Sequence, residues 1–103
     1  MFNQVILVGR IVEDINVKEI EDGKQVAYIT VGVPRSYKNE DGVYETDFID
    51  CVLWNAIATN TAEYCHKGDL VGIKGRVQTE VNEDKKITRI IVEKITFLSS
   101  ATK

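Results

Sequence analysis

The fold is decided by residues 44–68, which read YETDFIDCVLWNAIATNTAEYCHKG. Residues 44–54 are rich in β-branched and aromatic side chains, a composition typical of a strand. The residues that follow include four at helical spacing, namely Ile57, Thr61, Tyr64 and Cys65. A strand followed directly by one short helix is therefore predicted here.

Both ends of this helix have candidate capping residues. Asn55 is the predicted N-cap, and residues 66–68 supply the basic last turn and the glycine that often end a helix. His66 is accordingly expected to cap the helix end. Tyr64 shares the helical spacing of Ile57, so it is expected to pack in the core.

Further β-branched runs predict four more strands, at residues 5–12, 25–33, 70–81 and 87–98. The order strand, strand, strand, helix, strand, strand within about a hundred residues is that of the OB-fold. The predicted fold is therefore an all-β, five-stranded OB-fold barrel with one short helix between its third and fourth strands.

Turn residues separate these runs, at residues 21–24, 39–42 and 82–84. Successive strands should then be antiparallel. Glycine within a strand commonly marks a bulge or a close approach of two backbones, which is the role expected here for Gly9, Gly72 and Gly75.

The composition is that of one ordered domain, residues 1–103, with 44% hydrophobic and 28% charged residues. No apolar run is long enough to span a bilayer and the first residues do not form a secretory signal, which favours a cytoplasmic protein without a membrane partner. Cys51 and Cys65 lack the spacing and the histidine partners of a zinc site. They are expected to be reduced core residues, with no metal bound.

The formal net charge of −3 argues, taken alone, against a nucleic-acid partner. The charges are segregated, however. Residues 13–22 carry a net charge of −4 and residues 40–50 of −5, whereas residues 67–78 carry +2 and residues 85–94 carry +3. A basic surface can therefore form on one side of the barrel.

Side-chain alternation in the third strand places Cys51 and Leu53 toward the core and Phe48 and Trp54 on the outer face. These two rings would lie about 20 Å apart at roughly 3.3 Å per residue. The same alternation places Tyr28 on the outer face of the second strand, and Tyr37 is expected in the loop after it. Such rings can stack unpaired bases without sequence preference, or they can instead plug a barrel end or lie in a subunit interface.

Basic side chains near this face are candidates for phosphate contacts, namely Arg10, Arg35, Lys38, Lys74 and Arg76. No GxSxG, P-loop or HExxH motif is present, so no enzyme is predicted. A weaker alternative is a metal-dependent nuclease, in which acidic side chains of residues 40–50 would hold the metal ion. They alternate around a strand, and only Glu45 and Asp47 share a face.

Four stretches carry a resemblance to a known family: NQVILVGR (3–10), VAYITV (26–31), TDFIDCVL (46–53) and YCHKG (64–68). In these stretches, and over about residues 3–98, the sequence closely resembles the bacterial single-stranded-DNA-binding (SSB) family. The resemblance implies an OB-fold that assembles as a homotetramer, wraps single-stranded DNA and uses no cofactor. It also implies that Tyr37, Phe48 and Trp54 are base-stacking aromatics and that Lys67 and Arg10 contact the DNA backbone.

The sequence departs from the family pattern at four points. The fourth family aromatic is replaced by Val81 or Asn82, and Gln78 and Glu80 stand where the family often has arginines. The connection over residues 82–86 is short, and the sequence ends at Lys103 without an acidic tail. Weaker DNA engagement is expected, and recruitment of replication and repair proteins through such a tail is not.

The predicted function is sequence-independent binding and protection of single-stranded DNA in replication, repair and recombination. The alternative is a tail-less OB-fold that serves as a protein-interaction or primosome-type accessory module, with its outer aromatic rings buried between subunits.

Overall fold

The structure, a computed structural model, describes residues 1–100. The end of the chain, on which the expectation about the tail rests, lies outside these residues. The secondary structure consists of β1 (Val5–Ile11), β2 (Lys18–Glu19), a 3₁₀ turn (Glu21–Gly23), β3 (Gln25–Lys38), β4 (Tyr44–Trp54), α1 (Asn55–Tyr64), β5 (Leu70–Asn82) and β6 (Lys85–Ser99).

The strands form one sheet in the order β1-β5-β6-β4-β3-β2, and a further pairing of β1 with β3 closes it into a barrel. All neighbours are antiparallel except β4 and β6, which run parallel over two residue pairs, Cys51 with Ile90 and Val52 with Ile91. The predicted OB-fold is confirmed. The predicted third and fourth strands are β4 and β5, because the two-residue strand β2 was not expected.

Alternating side chains of every long strand fill the barrel. Ile11, Ile29, Leu53 and Ile73 are among the largest fully buried side chains, and Ala58 of α1 packs against the same cluster. Cys51 and Cys65 are also buried and are not joined in a disulfide. Burial raises the pKa of the Cys51 thiol to about 12 and also raises that of Cys65. The prediction that both are core residues is confirmed.

Strand β3 is longer than predicted. It continues past an irregularity after Pro34 and pairs Lys38 with Tyr44. Asn39 closes the hairpin tip, since its side-chain oxygen accepts hydrogen bonds from the backbone N–H groups of Asp41 and Val43 at 2.9 and 3.0 Å. Tyr37 therefore lies on a strand near the end of a hairpin and not in a loop, as the sequence had indicated.

The predicted helix caps are wrong. The Asn55 side chain makes no cap hydrogen bond; its Oδ1 accepts one from the backbone N–H of Gln25 at 3.1 Å, which ties the start of α1 to the start of β3. At the other end the helix stops at Tyr64, and residues 66–69 form a separate turn. In this turn the backbone N–H of His66 donates to Asp69 Oδ2 at 2.8 Å, and Gly68 adopts a φ of 92°.

Tyr64 does not pack in the core. Its side chain is 68% exposed, whereas Ala58 and Thr61 are the buried residues of α1. A narrow face of the helix, with Ala58 and Thr61, packs against the barrel. Tyr64 is the last residue of the helix and lies outside that face. Among residues 1–100, no helix combines the length and the apolar character that crossing a bilayer requires.

Candidate nucleic-acid interface

Three neighbouring strands bring Arg10 and Phe48 together on the outer surface of the barrel. Gly32 of β3 lies between them, because it pairs with Arg10 of β1 on one side and with Phe48 of β4 on the other. The Phe48 ring leans over Gly32, where an added Cβ would come within 3.6 Å of its Cε1 atom. Phe48 is 67% exposed. An aromatic face and a guanidinium are thus separated by one residue that has no side chain.

An open groove of about 490 Å³ follows this row of residues. Apolar or small side chains form most of it, and Arg10 is its charged residue; the lining includes Val8, Val12, Pro34, Thr46 and Leu70. A groove with one flat aromatic wall and one cation has the two features that a stacked nucleotide requires, a π-face for the base and a positive charge for the phosphate.

The turn after α1 fixes Arg10 and brings Lys67 near it. Gly68 donates its N–H to the Ile11 carbonyl at 2.6 Å, and its own carbonyl accepts a hydrogen bond from Arg10 Nη1 at 2.9 Å. Lys67, the preceding residue, is exposed. The structure thus places Arg10 in the groove and bonds it to the turn that carries Lys67.

The hairpin of β3 and β4 carries the next part of the predicted site. Tyr37 is 63% exposed near its tip. The Lys38 ammonium lies 5.6 Å from the centre of the Tyr44 ring, close enough for a cation–π contact. Lys38 therefore extends the surface from Phe48 toward the hairpin tip, whereas Tyr37, the preceding residue of β3, alternates to the other face of the strand, near Arg35.

Arg35 is engaged by carboxylates of the same hairpin. Its guanidinium donates to Asp47 at 2.8 to 3.2 Å and to Glu45 Oε2 at 2.6 Å. The hydrogen bonds and charge of Asp47 raise the pKa of Arg35, and the hydrogen bond from Arg35 holds the pKa of the Asp47 carboxyl below its usual range. The cluster braces the hairpin and leaves Arg35 a weaker candidate for phosphate than its sequence position indicated.

This cluster predicts how the hairpin responds to acid. A carboxyl whose pKa is lowered by folding contributes stability that is present above its unfolded pKa and is lost as the pH falls through its folded pKa. Asp47→Asn should therefore lower the stability at neutral pH, and the difference from wild type should shrink as the pH falls below the ordinary aspartate pKa of about 3.9. Urea unfolding at several pH values measures this difference.

The matched control is Asp41→Asn, which removes a carboxylate from the tip of the same hairpin without removing a partner of Arg35. Its effect on stability should be small and should not follow that of Asp47→Asn with pH. A stability difference for Asp47→Asn that stays constant from neutral pH to the acid range contradicts the assignment.

Lys74 and Arg76 lie on a different face of the barrel. Lys74 pairs with Ile6 of β1 and Lys94 of β6. Arg76 donates to Gln78 Oε1 at 2.7 Å and lies 3.9 Å from Glu93. The structure does not bring these two residues to the Phe48 groove.

The outer face is more closed around Trp54 than the alternation indicated. Trp54 is half-buried, and Val52, on the same face, is only 3% exposed. Tyr28 flanks Val52 on β3 and Ile91 flanks it on β6. Tyr28 itself is about half exposed, so its ring and Trp54 border one small cleft.

Sequence reasoning missed Arg89, which lies in this cleft. Its guanidinium carbon is 4.9 Å from the centre of the Tyr28 ring, and Nη1 contacts Glu80 Oε1. Arg89 reaches Tyr28 because β6 runs parallel to β4, a pairing between distant segments that no local pattern announces. The net charge of +3 over residues 85–94 was the only signal.

These features define the structural class of the protein. A barrel closed by β1 and β3, with its helix between β4 and β5, is an OB-fold, an architecture that binds oligonucleotides and oligosaccharides. The profile of the "Single-strand binding protein family" matches residues 2–98. The chain belongs to this family.

Its relatives carry consistent names. "Single-stranded DNA-binding protein B" of Bacillus subtilis is 42% identical over 103 aligned residues, which cover 95% of this chain and 91% of the relative. "Single-stranded DNA-binding protein 3" of Listeria innocua is 43% identical, with 97% and 66% covered. "Single-stranded DNA-binding protein" of Lactiplantibacillus plantarum is 41% identical, and the match covers 97% of this chain but 52% of that protein. The chain thus spans nearly all of one relative and about half of another.

Proposed function

We propose that this protein binds single-stranded DNA without sequence preference along the outer groove of its barrel. The observation that carries the proposal is the Arg10–Gly32–Phe48 row, in which an exposed ring and a cation flank a bare glycine. Phe48 and Tyr37 stack bases, Trp54 stacks a further base, and Arg10, Lys38 and Lys67 contact phosphates. No contact in this set reads a base edge, so the binding is independent of sequence.

The excess of acidic residues is compatible with this proposal because part of it is used within the protein. Asp47 and Glu45 of the acidic segment 40–50 bind Arg35 and are thereby partly neutralised. Arg10 and Lys67 are both exposed, and Arg10 is bonded to Gly68, the residue next to Lys67. Each phosphate contact releases counterions, and the logarithm of the binding constant falls by about 0.7 per contact with the logarithm of salt concentration.

The role we propose in the cell is the protection of single strands exposed in replication, repair and recombination, in the cytoplasm and without catalysis. Within residues 1–100, no three or more His, Cys, Asp or Glu side chains are grouped so that they could hold a metal ion. The acids considered for nuclease chemistry include Glu45 and Asp47, and both are ion-paired with Arg35. Metal-dependent cleavage therefore has no support in the geometry.

A fluorescence titration tests the proposal directly. Trp54 is the only tryptophan of the chain, so the emission reports on one place. We expect oligothymidylate to quench this emission at low salt and added salt to restore it. An emission that oligothymidylate leaves unchanged, in protein shown by circular dichroism to be folded, is the result that contradicts base stacking at Trp54.

We also propose that the protein assembles as a homotetramer. Ile6 is 71% exposed on β1, and Val8 is exposed on the same face, beside Gly72 of β5, where it also borders the edge of the groove. Apolar side chains in neighbouring outward positions are typical of a surface that a second subunit covers. Apart from the family resemblance, this face is the observation that supports self-association.

Ile6→Glu is therefore expected to lower the mass measured by light scattering from that of four chains to that of a smaller species. The introduced charge would be buried at the interface, but it is exposed in the single chain, so folding should survive. Ile20→Glu, at an exposed apolar residue outside β1, is the control. A tetramer that persists in Ile6→Glu would exclude this face as the interface.

A further inference from the structure

The outer face of β4 between Phe48 and Trp54 is acidic. Asp50 lies between them on this face, two residues from Phe48, and with Glu13 it lines a hollow beside Tyr28. Glu80 lines the adjoining cleft, which Trp54 also borders. A DNA strand that stacks on both Phe48 and Trp54 must pass these carboxylates, and each of them repels its phosphates.

Arg89 is shared by both hollows. It is the only positively charged residue that lines either of them within residues 1–100. Its side chain is 25% exposed, so it is accessible although it is partly covered. Arg89 is therefore the residue of these two hollows that can make a favourable charge contact with a phosphate.

Two contacts hold the Arg89 guanidinium in place. The guanidinium lies over the Tyr28 ring in a cation–π contact, with 4.9 Å between the guanidinium carbon and the ring centre. Glu80, on the neighbouring strand β5, contacts Nη1. A guanidinium carries five N–H donors in a planar fork that suits a carboxylate or a phosphate equally well. The Glu80 carboxylate thus occupies a position that a phosphate oxygen could take.

We propose that Arg89, supported by Tyr28, is a phosphate-binding residue of the DNA path and that Glu80 competes with the DNA for it. This inference rests on the proposed function. It adds Arg89 to the DNA contacts and names Glu80 as the group that limits the affinity. In the free protein Glu80 holds the guanidinium. When a strand binds, a phosphate replaces the carboxylate, and the guanidinium remains over the Tyr28 ring. Glu80 thereby lowers the affinity at this part of the path.

A double-mutant cycle with oligothymidylate tests the competition. Glu80→Gln removes the charge but keeps the size of the side chain, and we expect it to raise the affinity at low salt about three- to fivefold, the upper part of the range for one exposed ion pair. Arg89→Gln should lower the affinity and reduce the salt slope by about 0.7, which corresponds to one phosphate. In the Arg89→Gln background, Glu80→Gln should change the affinity less than about twofold.

Two further variants keep the test sharp. Glu63→Gln removes one negative charge from α1, away from the path, and should leave the affinity unchanged. Arg89→Lys retains the charge without the planar fork, so it should keep most of the salt slope while it loses part of the affinity. Thermal unfolding of each variant shows whether the barrel is intact.

The outcomes separate this inference from the proposed function. If wild-type protein binds oligothymidylate but Arg89→Gln binds equally well, Arg89 makes no contact and the inference fails alone. If Glu80→Gln raises the affinity equally in both backgrounds, Glu80 acts by its own charge and the competition is disproved. If the wild-type protein does not bind at all, both the function and the inference fail.

Discussion

Phe48→Ala combined with Tyr37→Ala is expected to lower the affinity for oligothymidylate about 30-fold or more, with little change in thermal stability. Base stacking on an aromatic ring contributes about 1–3 kcal/mol by alanine substitution, and two rings together correspond to about 2–6 kcal/mol. At about 1.4 kcal/mol per tenfold change, the lower limit is about 30-fold. Fluorescence quenching of Trp54, which both substitutions leave in place, measures the loss.

The exposure of the two rings makes this prediction specific to binding. Phe48 and Tyr37 are largely exposed and belong to no buried cluster, so removing them leaves the core of the barrel intact. Tyr64→Ala is the matched control, because Tyr64 is as exposed as Phe48 but lies on α1. It should bind like wild type. Equal affinities of the double variant and of Tyr64→Ala would refute stacking at the groove.

The salt dependence of binding distinguishes the contribution of the rings from that of the cations of the proposed site. Removing Phe48 and Tyr37 takes away no charge, so the slope of affinity against salt should remain that of wild type. Arg10 and Lys67, the cations we propose to contact phosphates, should each contribute to that slope, and the turn that carries Lys67 is bonded to β1 beside Arg10 through Gly68. The structure thus predicts two independent components of binding, one of them insensitive to salt.

The sequence predicted those parts of the fold that depend on local pattern. Alternation within residues 44–54 correctly placed Cys51 and Leu53 inside and Phe48 outside. The turn at residues 82–84 was also correct, and Glu83 and Asp84 both adopt positive φ there, as a two-residue hairpin turn requires. Each of these features is determined by neighbours in the chain.

The features that were missed depend on contacts between distant segments. Asn55 is of a residue type that often caps helices, but its side chain accepts a hydrogen bond from the backbone of Gln25 in β3. Arg35 is of a residue type that commonly binds phosphate, but Asp47 and Glu45 face it across the hairpin and pair with it. Alternation also could not show that Val52 is covered, because its cover comes from β3 and β6.

Gly75→Ala is expected to cause the largest loss of stability. Gly75 is one of the strand glycines at which the sequence predicted a close approach of two backbones. A Cβ at Gly75 would lie 2.3 Å from the Ile91 carbonyl oxygen and 3.1 Å from Ile90 Cγ2. The obstacle is the backbone of the paired strand β6, at a point where the register of β5 and β6 is already irregular, so it cannot move without opening the barrel. We expect a loss of about 3 kcal/mol or more in the free energy of urea unfolding.

Gly72→Ala, three residues earlier on the same strand, is the matched control. Its Cβ would meet only Leu98 Cδ1, at an ordinary contact distance of 3.7 Å, so its stability should stay within about 1 kcal/mol of wild type. If Gly75→Ala does not fold at all, Gly9→Ala offers a second measurement, with the Gly32 carbonyl oxygen 2.5 Å from the added atom. Because the three variants differ only in what the new methyl group meets, similar stabilities for all of them would show that the backbones are not in close contact at Gly75 and Gly9.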